Sequence, residues 1–225
     1  MLVLALDTST AAVTAVVARC EAGVARVLGS AAYFGAQEHV EQLAVMAAQA
    51  MREADVVPAD LAAVVVGAGP GPFTGLRVGI VAGRVMGYAL GIEVHGICSL
   101  DALAATAIDD SAVSTDVGSR FAVASDARRR EVYWATYEID ARGHAKRIDG
   151  PFVSKPDDLP ESVRLGRVVG RGTELYADVF GTMAPPYEPT GTGLARAAAW
   201  ALDVGRTVIP EPLYLRRPDA VAWKS

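Results

Sequence analysis

A chain of 225 residues, 52% hydrophobic and 21% charged, can bury a sizeable core as one large domain or as two lobes, and its composition excludes a disordered chain. Its formal net charge of −5 excludes the overall basic footprint of a protein that binds nucleic acid unaided; Arg128, Arg129 and Arg130 are the one dense basic run. Cys20 and Cys98 stand far apart with no CxxC, which argues against a redox pair or a zinc site and reads as two buried thiols in a reducing cytoplasm.

Residues 2–6 form a short apolar run of the kind a buried strand needs, with no basic region before it, so no targeting signal is expected. Asp7, Thr8, Ser9 and Thr10 are turn formers, and residues 12–17 read as the returning strand of a hairpin whose tip carries oxygens and amides. Helical spacing runs over 37–54, with Val40, Leu43, Ala44, Ala47, Met51 and Ala54 on one face. Pro58 and Asp60 break that pattern before a buried strand at 62–66.

A loop rich in Gly and Pro, 67–75, leads into a second helix expected from about Thr74, as its N-cap, to about Leu90. In it Gly75, Gly79, Gly83, Gly87 and Gly91 recur every fourth residue. Each interior Gly costs about 1 kcal/mol relative to Ala, so the stripe implies close backbone approach. The neighbour is either the protein's own sheet or helix, or another molecule. The longest apolar stretch, 61–92, is interrupted by Pro70, Pro72, Arg77 and Arg84, whereas crossing a bilayer takes an unbroken span of about 20 residues.

A strand at 93–98 and a short helix at 100–108 follow, then a polar stretch at 109–118 that marks a lobe boundary: 1–108 as the first lobe and 109–225 as the second. The second half reads as strands at 121–125 and 131–139 around a turn at 126–130. A hairpin turn at 142–144, a Pro-rich region at 151–160, a strand near Val168, an Ala-rich helix at 192–204 and a Pro-punctuated tail complete it. Alternating strands and helices in both halves predict an α/β architecture with a cleft between two lobes.

Known phosphate motifs fail on this sequence. G-x-G-x-x-G finds Gly67 and Gly69 but Pro72 in the third place, no Lys follows a Gly for a P-loop, and G-x-S-x-G finds Phe73 and Thr74 instead. The loop nevertheless feeds a helix N-terminus, which favours anions, so it is open to a phosphate or serves as a rigid turn for packing. Asp7, Thr8 and Thr10 are likewise open to a nucleotide phosphate or its metal, or satisfy their own turn. His39, His95 and His144 lie in separate segments with no metal-ligand spacing, so no metal site is expected.

Four segments carry a family resemblance: residues 6–9 (Leu-Asp-Thr-Ser), 69–77 (Gly-Pro-Gly-Pro-Phe-Thr-Gly-Leu-Arg), 126–134 (Asp-Ala-Arg-Arg-Arg-Glu-Val-Tyr-Trp) and 212–217 (Pro-Leu-Tyr-Leu-Arg-Arg). In that order and spacing the chain resembles the TsaB (YeaZ) family of tRNA threonylcarbamoyladenosine biosynthesis. The resemblance implies a two-lobed actin/hexokinase/Hsp70-like (ribonuclease H-like) fold with mixed sheets. It implies a subunit that stabilises the catalytic partner TsaD, with TsaE as third component, tRNA met only through the complex, and a homodimer when TsaD is absent. TsaD is similar in fold but carries H-x-x-x-H; here Leu43 follows His39 at that spacing, so the metal site is missing.

On this resemblance the nucleotide-binding candidates are Asp7, Thr8, Thr10, Gly69, Gly71 and Thr74, with no cofactor assigned to this chain alone and ATP or ADP at the level of the complex. Many family members carry Ser where Pro72 stands, and Pro offers a phosphate no hydroxyl. The partner-interface candidates are His39, Val40, Leu43, Ala47, Gly75, Gly79, Gly83 and Gly87. On that assignment Gly83→Leu abolishes partner binding and leaves the monomer folded. The alternatives are an independent ATPase or sugar kinase of the same superfamily, for which no second phosphate loop is evident, and a glycoprotease-like peptidase, for which neither metal nor nucleophile-base pair is evident.

Overall fold

A computed structural model describes residues 1–35, 39–180 and 185–216. The first lobe is built on five strands: β1 (Leu2–Asp7), β2 (Ala12–Glu21), β3 (Val24–Phe34), β4 (Ala63–Gly67) and β5 (Glu93–Ile97). Their order is β3-β2-β1-β4-β5, with the first three antiparallel and β1, β4 and β5 parallel. Because strand side chains alternate between faces, β1 sends Leu4 and Leu6 one way and Val3 and Ala5 the other. Both sets are buried, which is why this strand reads as one apolar run rather than an alternating one.

Two helices cover the first face: α1 (His39–Glu53) and α2 (Phe73–Leu90), through Leu43, Met46, Ala47, Ala50, Leu76 and Ile80. Two more cover the second: α3 (Ser99–Asp109) and α6 (Gly191–Asp203), with Ala102, Ala105, Leu194, Ala198 and Trp200 against Val16, Val65 and Ile97. The second sheet has the order β8-β7-β6-β9, from β6 (Arg120–Asp126), β7 (Val132–Ile139), β8 (Ala145–Ser154) and the two-residue β9 (Val168–Val169). Its outer face carries the short α4 (Glu161–Arg164) and α5 (Arg171–Leu175), with Val163, Leu159 and Phe180 in the core there.

Helix α3 lies between the two sheets. Its Leu100, Leu103, Ala104 and Ala107 pack on Phe121, Val123, Ala135 and Tyr137 of the second sheet, while Ala102 and Ala105 face the first. A helix apolar all round is buried all round, and four alanines let both sheets approach it. Asp101 is its polar tie: Tyr137 Oη donates to its carboxylate at 2.8 Å and Arg147 pairs with it at 3.3 Å.

The two-lobed α/β architecture agrees with the sequence, and four details correct it. Strand β3, 11 residues long, was not anticipated, and β2 continues to Glu21. Helix α2 starts at Phe73, after Pro72 in extended backbone, so Thr74 lies inside the first turn rather than capping it. The first four residues of the Pro-rich stretch belong to strand β8. A cut at residue 108 assigns α6 to the second lobe, yet α6 packs on β2, β3 and α3 and completes the first. Gln37 and Glu38, and the tail beyond Arg216, lie outside the described residues. Among the described residues no helix is long and apolar enough to cross a membrane.

Candidate functional site

Asp7, at the end of β1, is 1% exposed and holds the hairpin tip together. Its Oδ1 accepts from the Ser9 amide (2.7 Å) and the Ser9 hydroxyl (2.6 Å), and its Oδ2 accepts from the Ser99 hydroxyl (2.6 Å). Ser99 Oγ in turn accepts from the Gly69 amide at 3.2 Å, which links the hairpin to the Gly-Pro loop. Burial raises the Asp7 carboxyl above 3.8, against the pull of the Ser9 and Ser99 hydrogen bonds. Thr8 Oγ1 donates to the Gly75 carbonyl (2.7 Å) and accepts from the Gly79 amide (3.0 Å), fastening α2 to the hairpin.

The glycines of the loop make that approach sterically feasible. Gly69 sits at φ +94, a conformation side chains rarely adopt, and a Cβ on Gly71 would meet the Ser9 carbonyl oxygen at 2.3 Å. The helical stripe continues the theme. A Cβ would meet Thr8 O at 2.6 Å from Gly75, Thr8 Oγ1 at 2.6 Å from Gly79, Val66 Cγ1 at 2.3 Å from Gly83 and Val94 Cγ2 at 2.2 Å from Gly87. The stripe is therefore filled by the protein's own hairpin and sheet, and its assignment to a partner interface is corrected: the opposite face of α2 is the exposed one.

Two concave features flank this joint. A cleft of about 560 Å³, lined by apolar as well as polar and charged side chains, opens between the lobes. Ser9, Thr10, His39 and Thr74 contribute from the first lobe, and Asp126, Arg128, Arg171 and Glu188 line it too. His39 Nε2 lies 2.9 Å from the Thr10 carbonyl, which ties α1 to the hairpin. Arg128, Arg129 and Arg130 hold φ of +60, +55 and +60, a left-handed turn pinned by the Arg128 amide on Asp126 Oδ1 (2.7 Å). Arg128 pairs with Asp126 at 3.3 Å and Arg171 with Glu174 at 3.1 Å. Burial raises the Glu188 carboxyl above 4.5, against a hydrogen bond with Thr10 and the charge of Arg171.

Of the six nucleotide candidates, Thr10 and Thr74 line the cleft. Asp7 and Thr8 are buried with their side-chain oxygens engaged inside the protein, and Gly69 and Gly71 press on Leu76 and Ser9. The hairpin tip as it stands does not fit a nucleotide held by Asp7 and Thr8. Ser9, Arg171 and Glu188 were missed by sequence reasoning; Arg171 and Glu188 lie in segments without a motif, and only folding brings them to the cleft. Among the described residues, no group of three or more His, Cys, Asp or Glu could hold a metal ion.

The second feature is an apolar groove of about 690 Å³ between α1 and α2. Val40, Leu43, Ala44 and Ala47 form one wall, and Phe73, Arg77, Val78, Val81, Val85 and Met86 the other. Leu43 and Ala47 are its buried floor, while Val40, Val81 and Val85 are 66%, 57% and 61% exposed. Val40, Thr74 and Val78 line both groove and cleft, so the two are contiguous. His39, by contrast, belongs to the cleft alone.

A family model described as TsaD, tRNA N6-adenosine threonylcarbamoyltransferase, matches residues 33–162, more than half of the chain. An uncharacterized protein of Mycobacterium tuberculosis is 42% identical over 219 residues, covering 97% of this chain and 93% of that protein. Another, from Mycobacterium leprae, is 41% identical over 224 residues, but the chain spans only 56% of its length. The tRNA threonylcarbamoyladenosine biosynthesis protein TsaB of Escherichia coli is 31% identical over 203 residues, 84% of each chain. Among solved structures, YeaZ from Pseudomonas aeruginosa superposes with a TM-score of 0.80 at 27% identity, covering 95% of this chain and 99% of that one. The chain belongs to the family that the TsaD model describes and, within it, to the TsaB (YeaZ) family.

Proposed function

We propose that this chain is a non-catalytic subunit of the assembly that makes threonylcarbamoyladenosine in tRNA, and that it works by docking TsaD in the groove between α1 and α2. In that assembly TsaD transfers the threonylcarbamoyl group from threonylcarbamoyl-adenylate to the adenosine beside the anticodon of tRNAs reading ANN codons. TsaE is the third component, and tRNA meets this chain only through the complex. Without TsaD the same groove pairs with a second copy. The assembly works in the cytoplasm, and ATP or ADP belongs to it rather than to this chain alone.

The observation that carries this reading is the groove itself. Three valines on two adjacent helices stand more than half exposed around a buried apolar floor, a contiguous patch of the kind that marks a protein contact. Family membership supports the identity of the partner. The reading as an independent ATPase or kinase draws no support from Asp7 and Thr8, whose polar atoms already have partners within the protein.

The experiment is reconstitution with TsaD, TsaE, tRNA and threonylcarbamoyl-adenylate, omitting one component at a time. Modification is expected to require this chain. Val81→Asp places a carboxylate in the groove; at roughly 3 kcal/mol for an unpaired charge at an interface, TsaD binding weakens about 100-fold. The monomer's thermal midpoint stays within about 3 °C, since Val81 is exposed. Full modification without the chain would refute the role, and wild-type binding by Val81→Asp would refute the groove.

A further inference from the structure

The segment that follows α6 forms a strap over three parts of the molecule in turn. Val208 pairs with Gly96 at the edge of β5 through two hydrogen bonds of 2.8 Å. The Leu213 amide donates to the Ala68 carbonyl at 2.8 Å, beside the Gly-Pro loop. Tyr214 then lies on the first turns of α2: its ring centroid is 4.7 Å from that of Phe73, and Arg77 Nε donates to its hydroxyl at 2.8 Å. The Arg77 guanidinium also lies over the ring, 5.9 Å from its centroid. Arg216 finally reaches the second lobe, donating to the Ala127 carbonyl at 2.8 Å and pairing with Glu131.

Phe73 and Arg77 also line the α1–α2 groove. Helix α2 begins with no side-chain cap on its first amides, so its first turn depends on neighbours for order. Thr8 supplies one anchor through Gly75 and Gly79; Tyr214 supplies the other. An unheld Arg has many rotamers open to it beside an apolar groove, and a fixed one presents a single shape.

We propose that strap docking and partner docking at the groove reinforce each other, with Tyr214 as the positioning residue that holds Phe73 and Arg77 in the binding-competent arrangement. This rests on the groove being the docking surface for TsaD. The coupling is reciprocal: a partner seated in the groove tightens the strap, including the Leu213 amide that bonds Ala68 away from the groove.

The test uses the full chain and purified TsaD, with affinity read by calorimetry and backbone order by hydrogen exchange. Tyr214→Ala is expected to weaken binding about tenfold, and Tyr214→Phe, which keeps the ring and loses the bond to Arg77, about threefold. In the wild type TsaD slows exchange at the Leu213 amide beyond any change at the Ala122 amide of the second lobe, which bonds Arg167. In Tyr214→Ala that extra protection disappears. Wild-type affinity in a folded Tyr214→Ala, or a Leu213 amide indifferent to TsaD, overturns the coupling. Should Tyr214→Ala fail to fold, Tyr214→Phe and the wild-type exchange decide. Val81→Asp keeps the failures apart: normal binding by that variant sinks the groove, whereas lost binding there with no effect of Tyr214→Ala sinks the strap alone.

Discussion

Replacing Gly83 by Ala distinguishes a glycine stripe that serves the protein's own core from one that awaits a partner. On an outward helix face the change stabilises by about 1 kcal/mol, because Ala is the better helix former. Here the new Cβ would lie 2.3 Å from Val66 Cγ1 and 3.4 Å from Val64 Cγ1, where carbon atoms ordinarily rest about 3.5–4 Å apart. Val66 is fully buried on β4, an interior strand between β1 and β5, and its branched side chain has little rotamer freedom, so α2 itself must move. Overpacking of this kind costs about 3 kcal/mol at the upper end of its usual range, which leaves a net loss of about 2 kcal/mol. With a urea slope of about 2 kcal/mol/M the unfolding midpoint falls by about 1 M at unchanged slope. Val66→Ala removes the opposing methyl, so the double variant is expected to lose at least 1 kcal/mol less than the sum of the single changes. A midpoint equal to or above the wild type in Gly83→Ala would refute the packing argument. A leucine at 83 meets the same wall with more atoms and reports on folding, not on partner binding as the sequence suggested.

Two further outcomes follow from titratable groups, one half-buried and one fully buried. Glu188, raised above 4.5 by burial, contributes stability below its unfolded pKa that is lost as pH rises through the folded value. Glu188→Gln is therefore expected to gain stability relative to wild type from about pH 4.5 to pH 7, and urea midpoints that differ by the same amount at both ends would contradict this. The Cys98 thiol, 2% exposed, is pushed up to about 12 by burial and by the neighbouring Asp101. Iodoacetamide at about pH 8 should leave it unmodified in the native protein and alkylate it in urea; fast native labelling would show that the site is open.

The sequence conveyed the α/β class and most elements because strong period and punctuation coincided there: the runs at β1 and β4, the spacing of α1, the Gly-Pro loop before α2. Strand β3 escaped because one of its faces is largely exposed, and Arg26, Ser30 and Tyr33 interrupt the apolar pattern. The lobe assignment of α6 escaped for a different reason. An Ala-rich helix states that it is buried but not against what, and only the tertiary structure sets Leu194 and Trp200 on the first sheet. Period four in the glycines was legible at once, yet a stripe of missing side chains names no neighbour. The exposed valines of α2 lie on the opposite face, where the sequence reading had assigned no contact.

The hairpin tip shows how residues suited to a ligand can serve architecture instead. Short side chains with oxygens are what a phosphate turn needs, and they are equally what a joint needs where three backbones converge. Asp7 binds the hairpin and the start of α3 through Ser9 and Ser99, and Thr8 binds two turns of α2. Around these residues the facing backbone comes closer than a Cβ permits at Gly67, Gly71, Gly75 and Gly79: a Cβ on Gly67 would meet the Asp7 carboxylate. The polar residues of the hairpin tip, whose pattern suits a nucleotide site, thus hold α2 on the sheet and leave its opposite face to line the apolar groove with α1.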